Sequence, residues 1–250
     1  LEMISILDTD ETHKGQTARE LIAYVQSKPP VPRYSLGMGV LDDKFRGGIE
    51  VGTLVQLAGQ SFAGKTHLIL EILSNIAGAY GAVLFNFEMG DVRMSRRLEK
   101  LLVTDAQLDN LIIDSRTRDI DLLINEIRIY SKKGIRFFAI DSKMKITSSE
   151  KDDFKRFGEI SSKLARVAQE NDIIVFLINQ MSEADIKEGR FSFKGSGDQL
   201  YDADIALFYT VAKDGQRILT CTKNRQDERE FSLMVDITEG DENKLIFRSY

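Results

Sequence analysis

An α/β fold, a mainly parallel sheet flanked by helices with an antiparallel C-terminal extension, is predicted by three observations. From residue 53 to residue 178, apolar runs of strand length alternate with amphipathic segments of helix length, the pattern of βαβ crossovers. Beyond residue 201 this alternation stops, and four strand-like runs at 205–210, 217–222, 230–237 and 245–248 follow one another with only turns between them. Gly59-Gln60-Ser61-Phe62-Ala63-Gly64-Lys65-Thr66 follows the first apolar run and opens the first helix, reading G-x-x-x-x-G-K-[ST], a phosphate-binding loop.

The composition narrows what such a chain is for. With 250 residues, 42% of them hydrophobic, it can bury the core of one large α/β domain. The 34 basic residues against 39 acidic, formally −5, exclude a protein coated with nucleic-acid-binding surface but allow a local basic loop. A single cysteine, Cys221, excludes an intramolecular disulfide and fits a reducing, cytoplasmic setting. The longest apolar run, 173–178, has the length of a buried strand and not the roughly 18 residues of a membrane span. The chain opens on Leu1 with no basic-then-apolar leader, so nothing supports a signal peptide.

In chain order, residues 1–32 read as an arm or linker whose short helix, 17–27, carries Leu21, Ile22 and Val25 on one face and ends at Pro29-Pro30. That stripe suits packing on its own domain or on a neighbouring subunit. The ATPase-type domain is expected over 33–250. A helical turn at 40–45 leads through Gly47-Gly48 to the first strand, 53–58, and then to the loop and its helix, 67–77. A buried-type strand at 82–87 ends on Glu88, and the helix at 92–102 alternates Arg93, Arg96 and Arg97 with Met94, Leu98 and Leu101, which reads as a solvated face. Strands at 111–113, 135–140 and 173–178 end near Asp114, Asp141 and Gln180, with helices at 120–132 and 154–170 between them.

Each residue type in the loop has a physical task. Gly59 and Gly64 let the backbone curl, so that the amides of Gln60, Ser61, Phe62 and Ala63 make an anion-binding nest. Lys65 adds a charge that reaches the β- and γ-phosphates of ATP, and Thr66 offers a hydroxyl to Mg²⁺. His67 sits in the first turn of a helix whose positive end faces the same anion. Ligands of an open parallel sheet lie beyond the carboxyl ends of its strands, where Glu88, Asp141 and Gln180 also fall. Asp141 suits a Walker B carboxylate that holds Mg²⁺ with Thr66, a reading favoured over a cap on the following segment. Glu88 is placed to orient and deprotonate the attacking water, and Gln180 to contact the γ-phosphate.

These residues carry a family resemblance. Gly47-Gly48-Ile49-Glu50-Val51-Gly52 resembles the RecA-like recombinases, and Phe85-Asn86-Phe87-Glu88-Met89 resembles the Ser-Leu-Glu-Met element of the bacterial replicative helicases, the DnaB family. Further along, 157–164 resembles the helix before the helicase sensor strand. Lys194-Gly195-Ser196-Gly197 with Asp202-Ala203-Asp204 resembles its Arg-Glu-Ser-Gly and Asp-Ala-Asp stretch, and Lys223-Asn224-Arg225 its Lys-Gln-Arg. Ser142-Lys143-Met144-Lys145 departs from the family's Tyr-Leu-Gln-Leu.

The resemblance implies a RecA-like motor of the hexameric helicase type, with nucleotides between subunits of a homo-oligomer and single-stranded DNA in a central channel. Glu88 would be the catalytic glutamate and Asp141 the Walker B aspartate. Lys223 and Arg225 would reach the γ-phosphate of the neighbouring subunit, Arg225 as an arginine finger. From the residues alone Arg225 is a surface arginine at a strand-end turn. The loop at 182–197 would face DNA, with Lys187, Arg190 and Lys194 neutralising phosphates, Gly195 and Gly197 shaping it, and Phe191 and Phe193 stacking on bases. The family's helical N-terminal domain, which helps assemble the ring and recruit primase, has no counterpart in these residues, so primase or a loader would be met through a region outside them. The alternative is a recombination or regulatory ATPase that uses ATP as an assembly switch, forming filaments without unwinding DNA.

Overall fold

The computed structural model describes residues 17–101, 104–182, 185–186, 188–194, 202–238 and 244–249, and the chain divides between Pro32 and Arg33 into two units. The first contains helix α1, Ala18–Gln26. Thr17 and Glu20 close a capping box at its start, with the Glu20 amide donating to Thr17 Oγ1 at 3.2 Å and the Thr17 amide to Glu20 Oε2 at 2.8 Å.

The second unit begins with a two-residue strand β1, Arg33–Tyr34, a one-turn helix α2, Val40–Lys44, and strand β2, Ile49–Glu50, which pairs antiparallel with β1. From there the chain enters β3, Thr53–Gly59, every residue of which is buried. It continues through α3, Lys65–Ala77; β4, Ala82–Asn86; α4, Asp91–Leu101; α5, Asp105–Asn110; and β5, Leu111–Asp114. Next come α6, Ile120–Lys132; β6, Phe137–Asp141; a 3₁₀ turn, Lys143–Lys145; α7, Asp153–Glu170; and β7, Ile174–Gln180. The last described strands are β8, Ile205–Val211; β9, Arg217–Asn224; β10, Phe231–Ile237; and β11, Leu245–Ser249.

Among the described residues nine strands form one sheet in the order β11-β10-β9-β8-β3-β7-β6-β4-β5. The six strands from β8 to β5 are parallel, and β9, β10 and β11 extend the sheet antiparallel. The expected architecture is therefore observed, and buried strands of this kind must be apolar on both faces. One core layer packs Leu68, Ile72 and Ile76 of α3 and Met94 of α4 against Val55 and Leu57. The other packs Ile120, Leu123 and Ile127 of α6 and Ile160, Leu164 and Val167 of α7 against Leu54, Phe138 and Val175.

Departures from the sequence expectation are local. The ribbon of β1 and β2 and the six-residue α5 are additions; α5 starts at a capping box in which the Gln107 amide donates to Thr104 Oγ1 at 3.2 Å. Ile135 and Arg136 lie outside β6, which instead takes in Asp141. β4 ends at Asn86, two residues before Glu88. Of the described helices, none is long and apolar enough to cross a membrane.

Candidate nucleotide site

The phosphate loop leaves β3 under tight steric control. A Cβ at Gly59 would lie 2.3 Å from the Tyr209 carbonyl oxygen on the neighbouring strand β8, and Gly64 has φ of +104°, so both positions call for glycine. No side chain caps the start of α3. Its first amides therefore face the loop, where an anion would satisfy them. Lys65 Nζ donates to the carbonyl oxygens of Gly59 at 3.0 Å and Gln60 at 2.8 Å, so the ammonium rests over the loop. Burial lowers its pKa, while the charges of Asp141 and Glu88 act in the opposite direction.

Thr66 and Asp141 meet although 75 residues separate them, with Thr66 Oγ1 donating to Asp141 Oδ2 at 2.7 Å. Asp141 is 1% exposed. Burial raises its carboxyl to about 6; the Thr66 hydrogen bond opposes this, the Glu88 charge adds to it, and Lys65 and Arg97 counteract it. The segment bearing Glu88 is anchored beside Asp141 at two points. The Phe87 amide donates to the Asp141 carbonyl at 2.6 Å, and Asn86 closes a turn with Met89, donating from Nδ2 to its carbonyl at 2.6 Å and accepting its amide at 3.1 Å. Glu88 Oε1 accepts a hydrogen bond from Ser142 Oγ. Gln180 ends β7 level with Gly59 in the parallel register.

Lys65, Thr66, Glu88, Asp141 and Gln180 thus face one cavity of about 390 Å³, together with Ser61, Phe62 and Gly64 of the loop. Gly59 and Gln60 border an adjoining cavity of about 340 Å³ with Gln180 and Lys194. Ala63 is buried in the core. His67 does not line the main cavity, and its Nε2 lies 3.7 Å from Glu71 Oε2, one helical turn on.

Three polar residues of the cavity escaped sequence reasoning. Arg97 lines it from α4, which revises the reading of that helix as carrying only a solvated arginine face. Its spacing of three from Met94 and four from Leu101, both buried, is a signal that was available. Ser142 and Asn179 also line the cavity. Asn179 Nδ2 donates to Gln56 Oε1 at 2.7 Å, Gln56 Nε2 reaches Ser161 Oγ at 3.4 Å, and Lys143 Nζ donates to the same Ser161 oxygen at 2.6 Å. A buried polar chain therefore runs from the cavity wall to α7, and burial pushes the Lys143 ammonium down to about 7, with Asp202 opposing.

Lys223 and Arg225 do not join this cluster. β9 runs antiparallel to β8, so Asn224 pairs with Ile205 whereas Tyr209 of β8 pairs with Gly59. That places Lys223, which pairs with Ala206 and through it with Gln56, about 10 Å along the strands from Gly59, and Arg225, one residue past the end of β9, near the level of Leu54, about 17 Å along. There Arg225 Nη1 lies 3.2 Å from Asp204 Oδ1, with its side chain 51% exposed.

In the loop expected to face DNA, Lys187, Gly195 and Gly197 lie outside the described residues. Arg190 already pairs at 2.8 Å with both Asp185 and Glu188. Phe193 is 3% exposed and stacked on Phe208 at 5.1 Å between ring centroids. Phe193 is a core side chain, so the expectation that it stacks on a base is corrected: a buried ring offers no free face. Phe191, 42% exposed, also touches Phe208 at 5.1 Å. The Lys194 amide donates to the Gln180 carbonyl at 2.8 Å, tying the loop to the end of β7.

Comparison with known proteins places this geometry. The AAA domain family model matches residues 40–185, more than half of the chain. The chain is 25% identical over 216 residues to the DNA repair protein RadA of Pseudomonas aeruginosa, covering 84% of this chain. It is 26% identical over 218 residues to the DNA repair and recombination protein RadB of Thermoplasma acidophilum, covering 84% of this chain and 93% of that protein. It spans less than half the length of the RadA proteins it matches, 45% of the Pseudomonas aeruginosa protein and 42% of the one from Campylobacter jejuni. A solved DnaB-like replicative helicase, described with its interactions with primase, superposes with a TM-score of 0.74 at 18% identity, over 95% of this chain and 68% of that one. With the loop, the strand-end carboxylates and the parallel sheet in place, the chain belongs to the AAA domain family and has the RecA-like P-loop ATPase fold that DnaB-like helicase ATPase domains share.

Proposed function

We propose that this chain is the ATP-hydrolysing motor of an oligomeric, DnaB-like helicase that moves along single-stranded DNA. The observation that carries the reading is the division of residues between the two edges of the sheet. Lys65, Thr66, Glu88, Asp141 and Gln180 face one cavity, while Arg225 lies outside it, toward the amino end of β3. A cation placed there acts only on a nucleotide held by another subunit, so hydrolysis requires assembly.

Within the cavity the residues divide the chemistry. The loop amides and the start of α3 bind the phosphates, and Lys65 exchanges its two loop carbonyls for phosphate oxygens. Glu88 orients the attacking water and takes its proton at a carboxylate oxygen, with Ser142 holding the other side chain's position through its hydroxyl. Gln180 contacts the γ-phosphate and, through the Lys194 amide on its carbonyl, passes its position to the loop that follows. The Thr66 hydroxyl beside the Asp141 carboxylate is a hard-oxygen pair that fits Mg²⁺, an ion that takes one or two protein oxygens and completes its shell with phosphates and water. When bound, Mg²⁺ would neutralise charge on the β- and γ-phosphates. Arg225 of one subunit would stabilise charge on the phosphoryl group transferred in the next, an effect worth about 10³ to 10⁵ in rate.

A second reading has its own support, since RadA and RadB are named as DNA repair proteins. In it ATP drives assembly on DNA without strand separation. ATP hydrolysis measured across a protein concentration series, with and without single-stranded DNA, tests both. A rate per subunit that rises with concentration and again with DNA, from closed rings that displace a strand, supports the motor. Filaments that bind DNA and displace nothing would replace it with the repair reading.

A further inference from the structure

Arg225 sits on a turn held with more structure than a hairpin connection needs. Asn224 Oδ1 accepts the amides of Gln226 at 3.1 Å and Asp227 at 3.3 Å, and the Glu228 amide donates to the Asn224 carbonyl at 2.9 Å. Two bonds tie the turn to the start of the sheet. The Arg225 amide donates to the Asp204 carbonyl at 2.9 Å, and Gln226 Nε2 donates to Thr53 Oγ1 at 2.7 Å.

The third attachment is ionic. Asp227, its side chain 0% exposed, receives a two-pronged contact from Arg33, Nη1 to Oδ2 at 3.2 Å and Nη2 to Oδ1 at 3.1 Å. Arg46 Nε stands 3.4 Å from Asp227 Oδ1. Arg33 is fixed in turn by the Phe45 carbonyl at 2.9 Å and Glu50 Oε1 at 2.7 Å. Arg46 reaches Asp227 because the chain reverses at Gly47-Gly48, where a Cβ at Gly48 would lie 2.1 Å from the Tyr34 carbonyl oxygen. The glycine-rich entry to β3 therefore helps bring two guanidinium groups onto one buried carboxylate two residues from Arg225.

A forked arginine–carboxylate contact fixes direction as well as distance. Direction matters for a cation acting across a subunit boundary, since a displacement of about 1 Å costs on the order of 10²-fold in rate. We propose that Arg33, Arg46 and Asp227 form a clamp that positions the Arg225 turn for the nucleotide of the neighbouring subunit. The clamp rests on the reading of Arg225 as a residue acting in trans.

Subunit mixing separates positioning from stability. Lys65→Ala disables its own site but donates an intact Arg225; Asp227→Asn keeps its own site and donates a displaced one. Asp227→Asn alone should hydrolyse ATP about tenfold or more slowly, with affinity for a fluorescent ATP analogue unchanged. Mixed in equal parts with Lys65→Ala, half of its sites face an intact donor, and about a quarter of the wild-type rate should return. Mixed with Arg225→Ala it should stay slow. A wild-type rate in Asp227→Asn overturns the clamp. So does the absence of a gain with Lys65→Ala under conditions where Arg225→Ala does gain. If Arg225→Ala is itself as fast as wild type, or gains nothing from Lys65→Ala, the trans reading fails instead. Should Asp227→Asn lack a cooperative melt, Arg33→Lys keeps the charge, removes the fork and must follow the same pattern for the clamp to stand.

Discussion

At the Gly59 end of β3, groups from five separate segments face one cavity, and some already contact one another, as in the 2.7 Å bond between Thr66 and Asp141. Toward the Thr53 end, about 20 Å away, Arg225 pairs with Asp204, and Lys223 lies between the two ends, level with Gln56. On the proposed reading, one strand would carry the receiving half of a reaction at its carboxyl end and border the donating half at its amino end. A domain divided this way would, on that reading, bind nucleotide alone and hydrolyse it only in an assembly.

The largest effect should come from the receiving end. Glu88→Gln should reduce ATP hydrolysis by about 10³-fold or more while nucleotide still binds; a turnover within tenfold of wild type would remove Glu88 from the chemistry. Next in size, Arg225→Ala should lose about 10³-fold in the assembled protein. Its affinity for an ATP analogue in isolated subunits should not change. A matching loss of affinity in the monomer would mean that the two ends of β3 are not separate.

Arg97→Ala tests whether the missed arginine belongs to the receiving end. Losing one charged contact should weaken nucleotide binding about fivefold to tenfold, roughly 1–1.4 kcal/mol; equilibrium titration would detect this. Phe193→Ala contrasts the core with the surface of the loop after β7. A buried phenylalanine truncated to alanine costs about 3–5 kcal/mol, read as a lowered midpoint in urea, whereas Phe191→Ala should cost roughly 1 kcal/mol. Equal losses of DNA affinity without a stability difference would return Phe193 to the DNA-facing surface.

The smallest effect concerns Glu71 of α3, where burial raises the carboxyl while the Leu245 amide and Lys244 oppose the shift. A carboxyl whose pKa is raised on folding binds its proton more tightly in the native state. Its contribution favours folding below the unfolded value of 4.5 and is lost as pH rises through the folded value. Glu71→Gln should therefore raise the melting temperature above pH 7 and lose that advantage toward pH 4. A gap between the two proteins that is independent of pH would show that the acceptor geometry at Leu245, not the charge, governs this site.

The parallel sheet was legible because its strands are apolar on both faces and are separated by helices with a 3.6-residue period. The pattern of residues 120–132 predicts a helix, and α6 has those bounds. The ribbon of β1 and β2 was not legible, since two residues per strand carry no periodicity, and α5 offered only Thr104 and Gln107 as a start signal. In the cavity, Lys65, Thr66, Glu88, Asp141 and Gln180 were findable because strand ends and a loop pattern mark them. Asn179 was not, being a polar residue inside an apolar run whose partner Gln56 lies 123 residues earlier. Phe193 misled because an aromatic between basic residues looks alike on the surface or folded inward against Phe208.

That same amide pair bears on how the sheet finds its alignment. An apolar strand such as β3, packed on both sides by others like it, has little in its own pattern to forbid a shift by one residue. Gln56 opposes Leu177, and Asn179 opposes Ala58 two residues on, so the two amides share a face and meet diagonally. A shift of one residue would turn one of them to the opposite face and leave both polar ends buried without each other, at about 1–3 kcal/mol apiece. The bond beneath the nucleotide cavity therefore discriminates among alignments during folding, and the phosphate loop and Gln180 inherit their level match from it.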